Sequence, residues 1–499
     1  MPRPDRLDAV PRRLAVVACA VVAAALAAPA GAQAGSVGRW EPIAPQHDTT
    51  VLQPALARDA AGVLHVAYVQ QRPAGALDLF ERAIAPAGTL GGPRPVLSGF
   101  TTLADPALLV GPGALRILVG AQRSINTEDP LRGLLTATAP VGDGGWSAPA
   151  VTTPQDGEAG FASGDAAAVS LADGSPLALS SGSGFGVLTH RGLNPAIGAF
   201  NLQDPFGACC IGQAQIVRDA ASGTPFAVYQ SLISGRDGVF VQALDAATGG
   251  PAGAPVALPG LGKAGGADAI DPVLARTAAA ARVGGGVYVA VPSGLALPDR
   301  TRLWRAGGAP AITLGSGGGR HFSSAVVPTP DGRLWVAWSE ERDAGLRIVL
   351  RRSNPTVSRF GEQVTISGPP GARRAFALDG SSQTLRLDLV ATAGDSGSAP
   401  FQTQVLPPLE LRAAPGRIRG GRTTSVRFTV TDVGVPVAGA SVSAGGRRAT
   451  TSSKGTATLS LRGARTGGSI TVTATRANYR TDTLKVNVSR APKLRKTRR

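Results

Sequence analysis

Residues 323–340 read SSAVVPTPDGRLWVAWSE, and variants of this phrase recur along most of the chain. Each variant has an apolar stretch, a short turn that is usually rich in Gly or Asp, and a second stretch rich in β-forming residues. The other copies are QPALARDAAGVLHVAYVQ from Gln53, ADPALLVGPGALRILVGAQ from Ala104, GDAAAVSLADGSPLALSS from Gly164, AQIVRDAASGTPFAVYQS from Ala214, IDPVLARTAAAARVGGGVYVAV from Ile270 and RRAFALDGSSQTLRLDLVAT from Arg373.

The spacing of these copies predicts a β-propeller, because a period of about 40 to 50 residues is typical of propeller blades. Two further strand-like segments follow most copies, such as LLTATAP from Leu134 and WSAPAVTT from Trp146, and four antiparallel strands make a blade. The last unit lacks a fourth strand. We expect RWEPIAP from Arg39 to supply it, which would close the ring without an open edge.

The sequence thus predicts an all-β protein with a seven-bladed propeller over residues 35–407. A six-bladed ring is the alternative, since the units that start at Gly164 and Arg373 are weakly patterned. After the propeller, short Thr/Val-rich strands alternate apolar and polar residues, which predicts a β-sandwich over residues 408–490. The ending 491–499, APKLRKTRR, is typical of a disordered basic tail.

The sandwich resembles the bacterial Ig-like modules that are akin to the carboxypeptidase regulatory-like domain. The residues that carry the resemblance are Val430-Thr431-Asp432, Gly434, Pro436-Val437-Ala438-Gly439-Ala440, Thr450-Thr451, Gly455 and Tyr479. Such a resemblance implies a stalk, spacer or adhesion unit.

The N-terminal residues 1–34 are typical of a secretory signal peptide. Arg12 and Arg13 precede the apolar run LAVVACAVVAAALAAPA, and Ala32-Gln33-Ala34 offers the small-x-small pattern of a cleavage site. The sequence therefore predicts a secreted or cell-surface-associated protein, acting as a monomer. No later segment is long and apolar enough to predict a transmembrane span.

The net charge of +17 is confined to one part of the chain. Residues 411–499 hold 19 Lys and Arg against two carboxylates, whereas residues 1–410 hold 31 of each sign. A basic module beside a neutral one suggests an anionic partner. We expect residues 411–499 to contact an anionic cell-envelope polymer.

Cys209 and Cys210 are the two cysteines that remain after the signal segment. In an oxidising compartment they are expected to form a vicinal disulfide. A reduced buried pair, or links to another chain, are the alternatives.

Polar side chains at the channel end of the blades are the candidate ligand-binding residues. Second strands end in amide, guanidinium and carboxylate groups, which suit hydroxyl-rich or anionic ligands. We name eight of these the rim residues: Gln70, Arg72, Gln122, Arg123, Gln230, Glu340, Glu341 and Arg342. His47 and His321, in loops that enter first strands, join them as candidates.

Asp105, Asp165 and Asp271 also lie in loops that lead into first strands. Asp105-Pro106 and Asp271-Pro272 recur at equivalent positions, where the simplest role for the carboxylate is to cap a turn. No metal-binding spacing such as HExxH or CxxC is present. No metal and no cofactor is therefore expected.

The repeats resemble sialidase-like or BNR-repeat propellers, because residues 329–335, TPDGRLW, are similar to the Asp box of that family. The sequence departs from the family in lacking the early Phe/Tyr-Arg-Ile-Pro signature, so no catalytic residue carries over.

These patterns favour a secreted, non-enzymatic binding or adhesion protein whose propeller face recognises a glycan or another surface ligand. The alternative is a diverged sialidase-like glycoside hydrolase or lyase, and a purely structural envelope protein is a third possibility. Glu340 and Glu341 cannot by themselves form the enzyme's pair of carboxylates, since neighbours on a strand point to opposite faces. A pocket with convergent carboxylates and Arg would favour the enzyme, and a broad wet groove would favour the binding protein.

Overall fold

The strands of residues 41–405 form seven separate antiparallel sheets in the computed structural model. The structure describes residues 38–491 apart from 46–52, 74, 125–128, 143, 155–164, 183–185, 194–198, 203–210, 232–237, 260–275, 295–297, 309 and 384. Within these ranges there is no helix, so the described part of the protein is all-β as predicted.

The first three sheets follow one another along the chain. They consist of β2 (Ala55–Arg58), β3 (Leu64–Gln71), β4 (Leu77–Ile84) and β5 (Leu90–Phe100); β6 (Thr102–Leu103), β7 (Ala107–Gly111), β8 (Ala114–Gln122), β9 (Arg132–Pro140) and β10 (Ala150–Pro154); and β11 (Asp165–Ser170), β12 (Pro176–Gly182), β13 (Gly186–Arg191) and β14 (Ala199–Leu202).

The next four sheets repeat the pattern, and the last of them recruits the N-terminal strand. They consist of β15 (Ile211–Arg218), β16 (Pro225–Ser231), β17 (Gly238–Ala243) and β18 (Val256–Ala257); β19 (Ala278–Ala281), β20 (Val287–Ser293), β21 (Arg300–Arg305) and β22 (Ile312–Ser316); β23 (Ser324–Pro328), β24 (Leu334–Arg342), β25 (Gly345–Arg352) and β26 (Val364–Ser367); and β27 (Arg374–Ser382), β28 (Leu387–Gly394) and β29 (Ser398–Val405) with β1 (Glu41–Pro42).

The first strands of these sheets are neighbours in cyclic order. β2 contacts β7, and the contacts continue through β11, β15, β19 and β23 to β27, which contacts β2 again. Small residues such as Ala166 and Ala278 allow the strands to converge. The arrangement is a propeller-like fold that surrounds a central channel.

The second strand of each sheet is apolar because neighbouring sheets cover both of its faces. All seven residues of β20 are buried, and so are the first seven of β24. A tight turn leads into β24, in which the Gly332 N–H donates to the Thr329 carbonyl at 3.0 Å. Gly332 adopts a φ of +79°, which favours glycine.

The N-terminal strand completes the last sheet, as the sequence predicts. Glu41 pairs with Gln402 and Pro42 with Phe401. Trp40 is buried in the core shared with β24 and β28, and its indole N–H donates to the Ser367 carbonyl at 2.7 Å.

Two further sheets follow, and they enclose one apolar core. One contains β30 (Glu410–Ala414), β32 (Thr423–Asp432), β33 (Val435–Pro436) and β36 (Thr456–Arg462). The other contains β31 (Arg417–Arg419), β34 (Ser441–Ala444), β35 (Arg447–Thr450), β37 (Gly468–Thr475) and β38 (Asp482–Ser489). Alternation of buried and exposed residues along β32 and β36 turns Val426, Phe428 and Leu459 inward.

No helix with the length and apolar character of a membrane span occurs in the described part of the chain.

Candidate functional site

The rim residues lie at one end of the sheets, beside the entry of the first strands. Gln122 pairs with Thr102, and Gln230 pairs with Gly212. In the sixth sheet, backbone hydrogen bonds join Arg320 and Glu341 in both directions, at 3.0 and 2.8 Å. This position at strand ends agrees with the prediction.

Several rim residues bond within their own loops. Arg72 Nε donates to Asp78 Oδ2 at 2.5 Å, and an Arg123 guanidinium nitrogen lies 3.1 Å from Asp129 Oδ1. Both arginine side chains are about half exposed, at 51% and 47%. Gln70 is half-buried. These arginines therefore face solvent with their charge already paired.

The two amides that end the next second strands differ in burial. Gln122 Nε2 donates to the Ser124 carbonyl at 2.8 Å. Gln230 is buried, and its Oε1 has no hydrogen-bond partner among the described residues. Gln230 is thus part of the packed interior.

Glu340 and Arg342 form an ion pair with each other. The Glu340 carboxylate is buried and also accepts a bond from Trp338 Nε1 at 3.3 Å. His321 is fully buried behind it, with Nδ1 at 2.9 Å from Thr301 Oγ1. Burial lowers the pKa of His321, so the imidazole is neutral at pH 7.

Glu341 is the rim residue with the most perturbed carboxyl group. Burial raises the pKa of Glu341 to about 7, although Arg374, at 3.8 Å, and Arg320 oppose the shift. Glu340 and Glu341 engage different arginines, as expected for neighbours on a strand. His47, Cys209 and Cys210 lie outside the described residues.

A cavity of about 250 Å³ occupies the centre of the seven sheets. Each of the seven first strands, or the residues that enter it, contributes to the lining. Among the residues that the structure describes, its charged lining residues are Asp105, Asp165, Arg276 and Asp379, which we name the channel cluster.

Three members of the channel cluster are joined directly. Arg276 NH1 donates to Asp105 Oδ2 at 2.5 Å. The Asp105 N–H donates to Asp165 Oδ1 at 3.2 Å, and the Ala166 N–H donates to the Asp105 carbonyl at 2.8 Å. These bonds link the N-terminal ends of β7, β11 and β19.

Three glutamines surround this charged group. The Gln53 N–H donates to Asp105 Oδ1 at 2.7 Å, and Gln215 Nε2 donates to the Thr277 carbonyl at 2.8 Å. Gln213 sits in an irregular part of β15 and adopts a φ of +50°. A non-glycine residue in this conformation is uncommon and occurs often at functional sites.

Two carboxyl groups of the channel cluster hold protons unusually tightly. Burial and the nearby charge of Asp105 raise the pKa of Asp165 to about 6, although Arg276 opposes the shift. Burial raises the pKa of Asp379 to about 7, with the Gly380 N–H as the only opposing influence. For Arg276, burial lowers the pKa, but the two aspartates outweigh it and raise the pKa.

This arrangement can transfer protons near neutral pH. Catalysis by a general acid and a general base is most efficient when their pKa values lie near the working pH. Asp165 and Asp379 meet that condition within one cavity, and the Asp105–Arg276 pair adds a fixed cation and an anion.

The sequence predicts Asp105 and Asp271 as turn caps, and Asp271 lies outside the described residues. Asp105 does accept a backbone N–H, but from Gln53 of the preceding sheet, and its second oxygen bonds Arg276. Arg276 and Asp379 were missed altogether. The available signal was a charged residue within a run of small or apolar residues, in LARTAAAA just before β19 and in AFALDG of β27.

A second charged group lies where the sixth sheet meets the sandwich. We name Asp331, Arg333, Arg352, Asp432 and Tyr479 the junction cluster. Arg352 bonds both aspartates, at 3.1 Å to Asp331, and Arg333 lies 2.8 Å from Asp331 and 3.5 Å from Asp432. The Tyr479 hydroxyl donates to Asp432 at 3.3 Å.

The junction cluster favours the ionised form of Asp331. Burial would raise the pKa of Asp331, but the Thr329 hydroxyl and the two arginines lower it. Burial and the Asp432 charge raise the pKa of Tyr479 to about 12. A cleft of about 730 Å³ borders this cluster, but its charged groups are already bonded to one another, so it is the weaker candidate site.

Comparison with solved structures finds enzymes that act on polysaccharides. An ulvan lyase of a polysaccharide lyase family, bound to GlcA(1-4)Rha3S, matches with 12% identity, a TM-score of 0.44, and coverage of 74% of this chain and 94% of that one. The endo-arabinase from Bacteroides thetaiotaomicron VPI-5482 matches with 11% identity and a TM-score of 0.32, and the match covers 74% of this chain and 97% of that one. The polysaccharide lyase Uly1 matches with 10%, 0.42, 71% and 90%.

No protein-family model and no curated protein matches the chain. At these identities the solved structures bear on the fold alone, so their activities are not transferred to this chain.

The expectation of a non-enzymatic binding or adhesion protein is wrong. The similar solved structures named above are two polysaccharide lyases and an endo-arabinase, and none of the three is a binding or adhesion protein. The physical reason lies in the central cavity, where three carboxylates and an arginine converge on one space of about 250 Å³.

Proposed function

We propose that this chain is an exported glycan-processing enzyme, either a glycoside hydrolase or a polysaccharide lyase. The observation that carries the proposal is the convergence of Asp105, Asp165, Arg276 and Asp379 in one central cavity. The two carboxyl groups with raised pKa values supply an acid and a base, which both reactions need.

The roles follow from the pKa order. Asp379, with the higher pKa, gives a proton to the oxygen that leaves the scissile bond. Asp165, with the lower pKa, is the base. In hydrolysis it takes a proton from the attacking water. In elimination it takes the proton from the carbon next to a uronate carboxylate, and a double bond forms as the C–O bond breaks.

The remaining polar groups position the glycan. Arg276 offers a cation that can pair with a sugar carboxylate. Gln53, Gln213 and Gln215 carry amides of the kind that bond hydroxyls, and Gln70, Arg72, Gln122, Arg123, Glu341 and Arg342 extend this polar surface towards solvent.

The test is turnover by the full chain on a panel of neutral and uronate-containing polysaccharides. Reducing ends without ultraviolet absorbance identify hydrolysis, and reducing ends with absorbance from the new double bond identify elimination. Asp379→Asn is expected to lower kcat by about 10²- to 10⁴-fold. Asp395→Asn, at the exposed ion pair with Arg373, is the matched control and should retain activity. Full activity of Asp379→Asn would refute the assigned role.

The finer architecture belongs to the same proposal. We assign residues 1–34 to a signal peptide, 35–407 to a seven-bladed propeller of sialidase-like type, 408–490 to an Ig-like sandwich and 491–499 to a basic tail. The seven meander sheets and the cyclic contacts of their first strands support the blade count. N-terminal sequencing of the exported protein tests the cleavage site.

The partners follow from charge. A glycan binds at the channel, and residues 411–499 contact an anionic envelope polymer, which keeps the secreted monomer at the cell surface. The Cys209–Cys210 disulfide is also part of this proposal, and mass analysis before and after reduction tests it.

A further inference from the structure

The five-stranded sheet of the sandwich has an outer face made of cations and hydroxyls. The strands run in the order β31, β38, β37, β34, β35. Alternate residues point into the apolar core, as Ile418, Val472 and Val486 do. The residues between them point outward.

The outward positions carry four cations and no carboxylate. Arg417 and Arg419 lie on one edge strand, Lys485 on the next strand, and Arg448 on the opposite edge strand. All four are exposed. Asp482 is the acidic residue of these five strands, and it lies at an inward position, where its carboxylate accepts the Leu411 N–H at 2.7 Å.

Hydroxyl groups fill the surface between the cations. Across the sheet, Arg448 pairs with Ser443, Ser443 with Thr473, and Thr473 with Thr483. Lys485 pairs with Thr471 in the next row. Because adjacent strands lie about 4.8 Å apart, the two edge strands are separated by roughly 19 Å of polar surface.

We propose that this face binds a strand of an anionic polysaccharide. The charge is complementary to such a chain, and Ser and Thr hydroxyls both donate to and accept from sugar hydroxyls. The face carries no aromatic side chain on which the bases of a single-stranded nucleic acid could stack, which favours the sugar polymer. The inference names the surface that contacts the anionic partner of the proposed function, and it rests on that part of the proposal alone.

The experiment measures binding of alginate, a polyuronate, to the full chain carrying Asp379→Asn, so that turnover does not interfere. Combined Arg417→Gln, Arg448→Gln and Lys485→Gln should weaken binding about tenfold, since exposed ion pairs contribute about 0.2–1 kcal/mol each. Neutral dextran should not bind. Thermal unfolding checks that the exposed substitutions leave the fold intact.

The matched control removes three cations from the other sheet of the sandwich. Arg412, Arg427 and Arg462 are exposed there, and Glu410 lies two residues before Arg412. Their combined change to Gln should alter the dissociation constant less than about twofold. Equal loss in both triple variants, equally tight binding of double-stranded DNA, or no alginate binding by the parent would each overturn the inference.

The outcomes separate the two proposals. Alginate binding that the first triple variant weakens, without turnover of any glycan by the unsubstituted chain, would support this face and count against the proposed function. Glycan turnover with unchanged binding in the first triple variant would support the proposed function and refute the assignment of this face.

Discussion

The channel cluster and the junction cluster use the same residue types for opposite purposes. The channel holds three aspartates and one arginine, and two of its carboxyl groups have raised pKa values. The junction holds two aspartates and two arginines, and the pKa of Asp331 is lowered. Where aspartates outnumber arginines, as in the channel, carboxyl groups have raised pKa values and can keep their protons near neutral pH. Where the two are equal in number, as at the junction, ion pairs keep the carboxylate charged and join two parts of the chain.

The largest expected effect is on stability at the junction. Asp432→Asn removes the buried anion that Arg333 and Arg352 share and leaves them only the partly exposed Asp331. Breaking a buried pair costs about 3–5 kcal/mol. We expect the free energy of unfolding, measured by denaturant titration, to fall by that amount. A change below about 1 kcal/mol would show that the junction is not an essential contact.

The second effect is an increase in the free energy of unfolding, and its size depends on pH. Asp379 has a folded pKa of about 7, above the value of about 3.9 in an unfolded chain. The contribution of the neutral Asp379 carboxyl to the free energy of unfolding is therefore fully present below about pH 4, and it is lost as the pH rises through about 7.

Asp379→Asn removes this loss. The variant should unfold with a free energy up to about 4 kcal/mol higher than the original chain at pH 8, because the folded and unfolded pKa values differ by about three, at about 1.4 kcal/mol for each pKa unit, and the two should converge at low pH. The measurement is denaturant unfolding at pH 4 and pH 8. A variant less stable at both pH values would contradict the raised pKa.

The third effect concerns the pH profile of activity. Arg276→Gln removes the cation that opposes the raised pKa of Asp165. The acidic limb of kcat/KM, expected near pH 6 because Asp165 must be ionised as the base, should move to higher pH by about one unit. Arg373→Gln, at a side chain that is 76% exposed, should leave the limb in place. An unmoved limb in Arg276→Gln would assign it to another group.

The smallest effect calibrates the others. Asp395→Asn removes an exposed ion pair with Arg373 at 3.6 Å. The free energy of unfolding should change by less than about 0.5 kcal/mol, because both partners are solvated. A larger change would mean that the exposed surface contributes as much as the two clusters.

The repeated phrase predicts strands well because each copy contains its own strand, turn and strand. Within residues 323–340 the structure places β23 and β24 on either side of the turn at Gly332. The closing pair is also predictable, since RWEPIAP resembles an outer strand found elsewhere in the chain.

The site is harder to predict because its members are distant in sequence. Arg276 and Asp105 are 171 residues apart, and alternation alone does not show which positions of a small-residue strand face the axis. The rim residues were visible because they end apolar runs, but several are paired within their own loops, as Arg72 is with Asp78. Convergence of first strands, and not local pattern, creates the channel cluster.

The pairing of β1 with β29 sets the order of events during biosynthesis. Glu41 cannot pair with Gln402 until that residue, which follows it by 361 residues, has been synthesised. At ribosomal rates of about 5–20 residues per second, this delay is roughly 20–70 s. Until then Trp40 lacks its final partners, so the circle of sheets cannot close while most of the polypeptide is still being made.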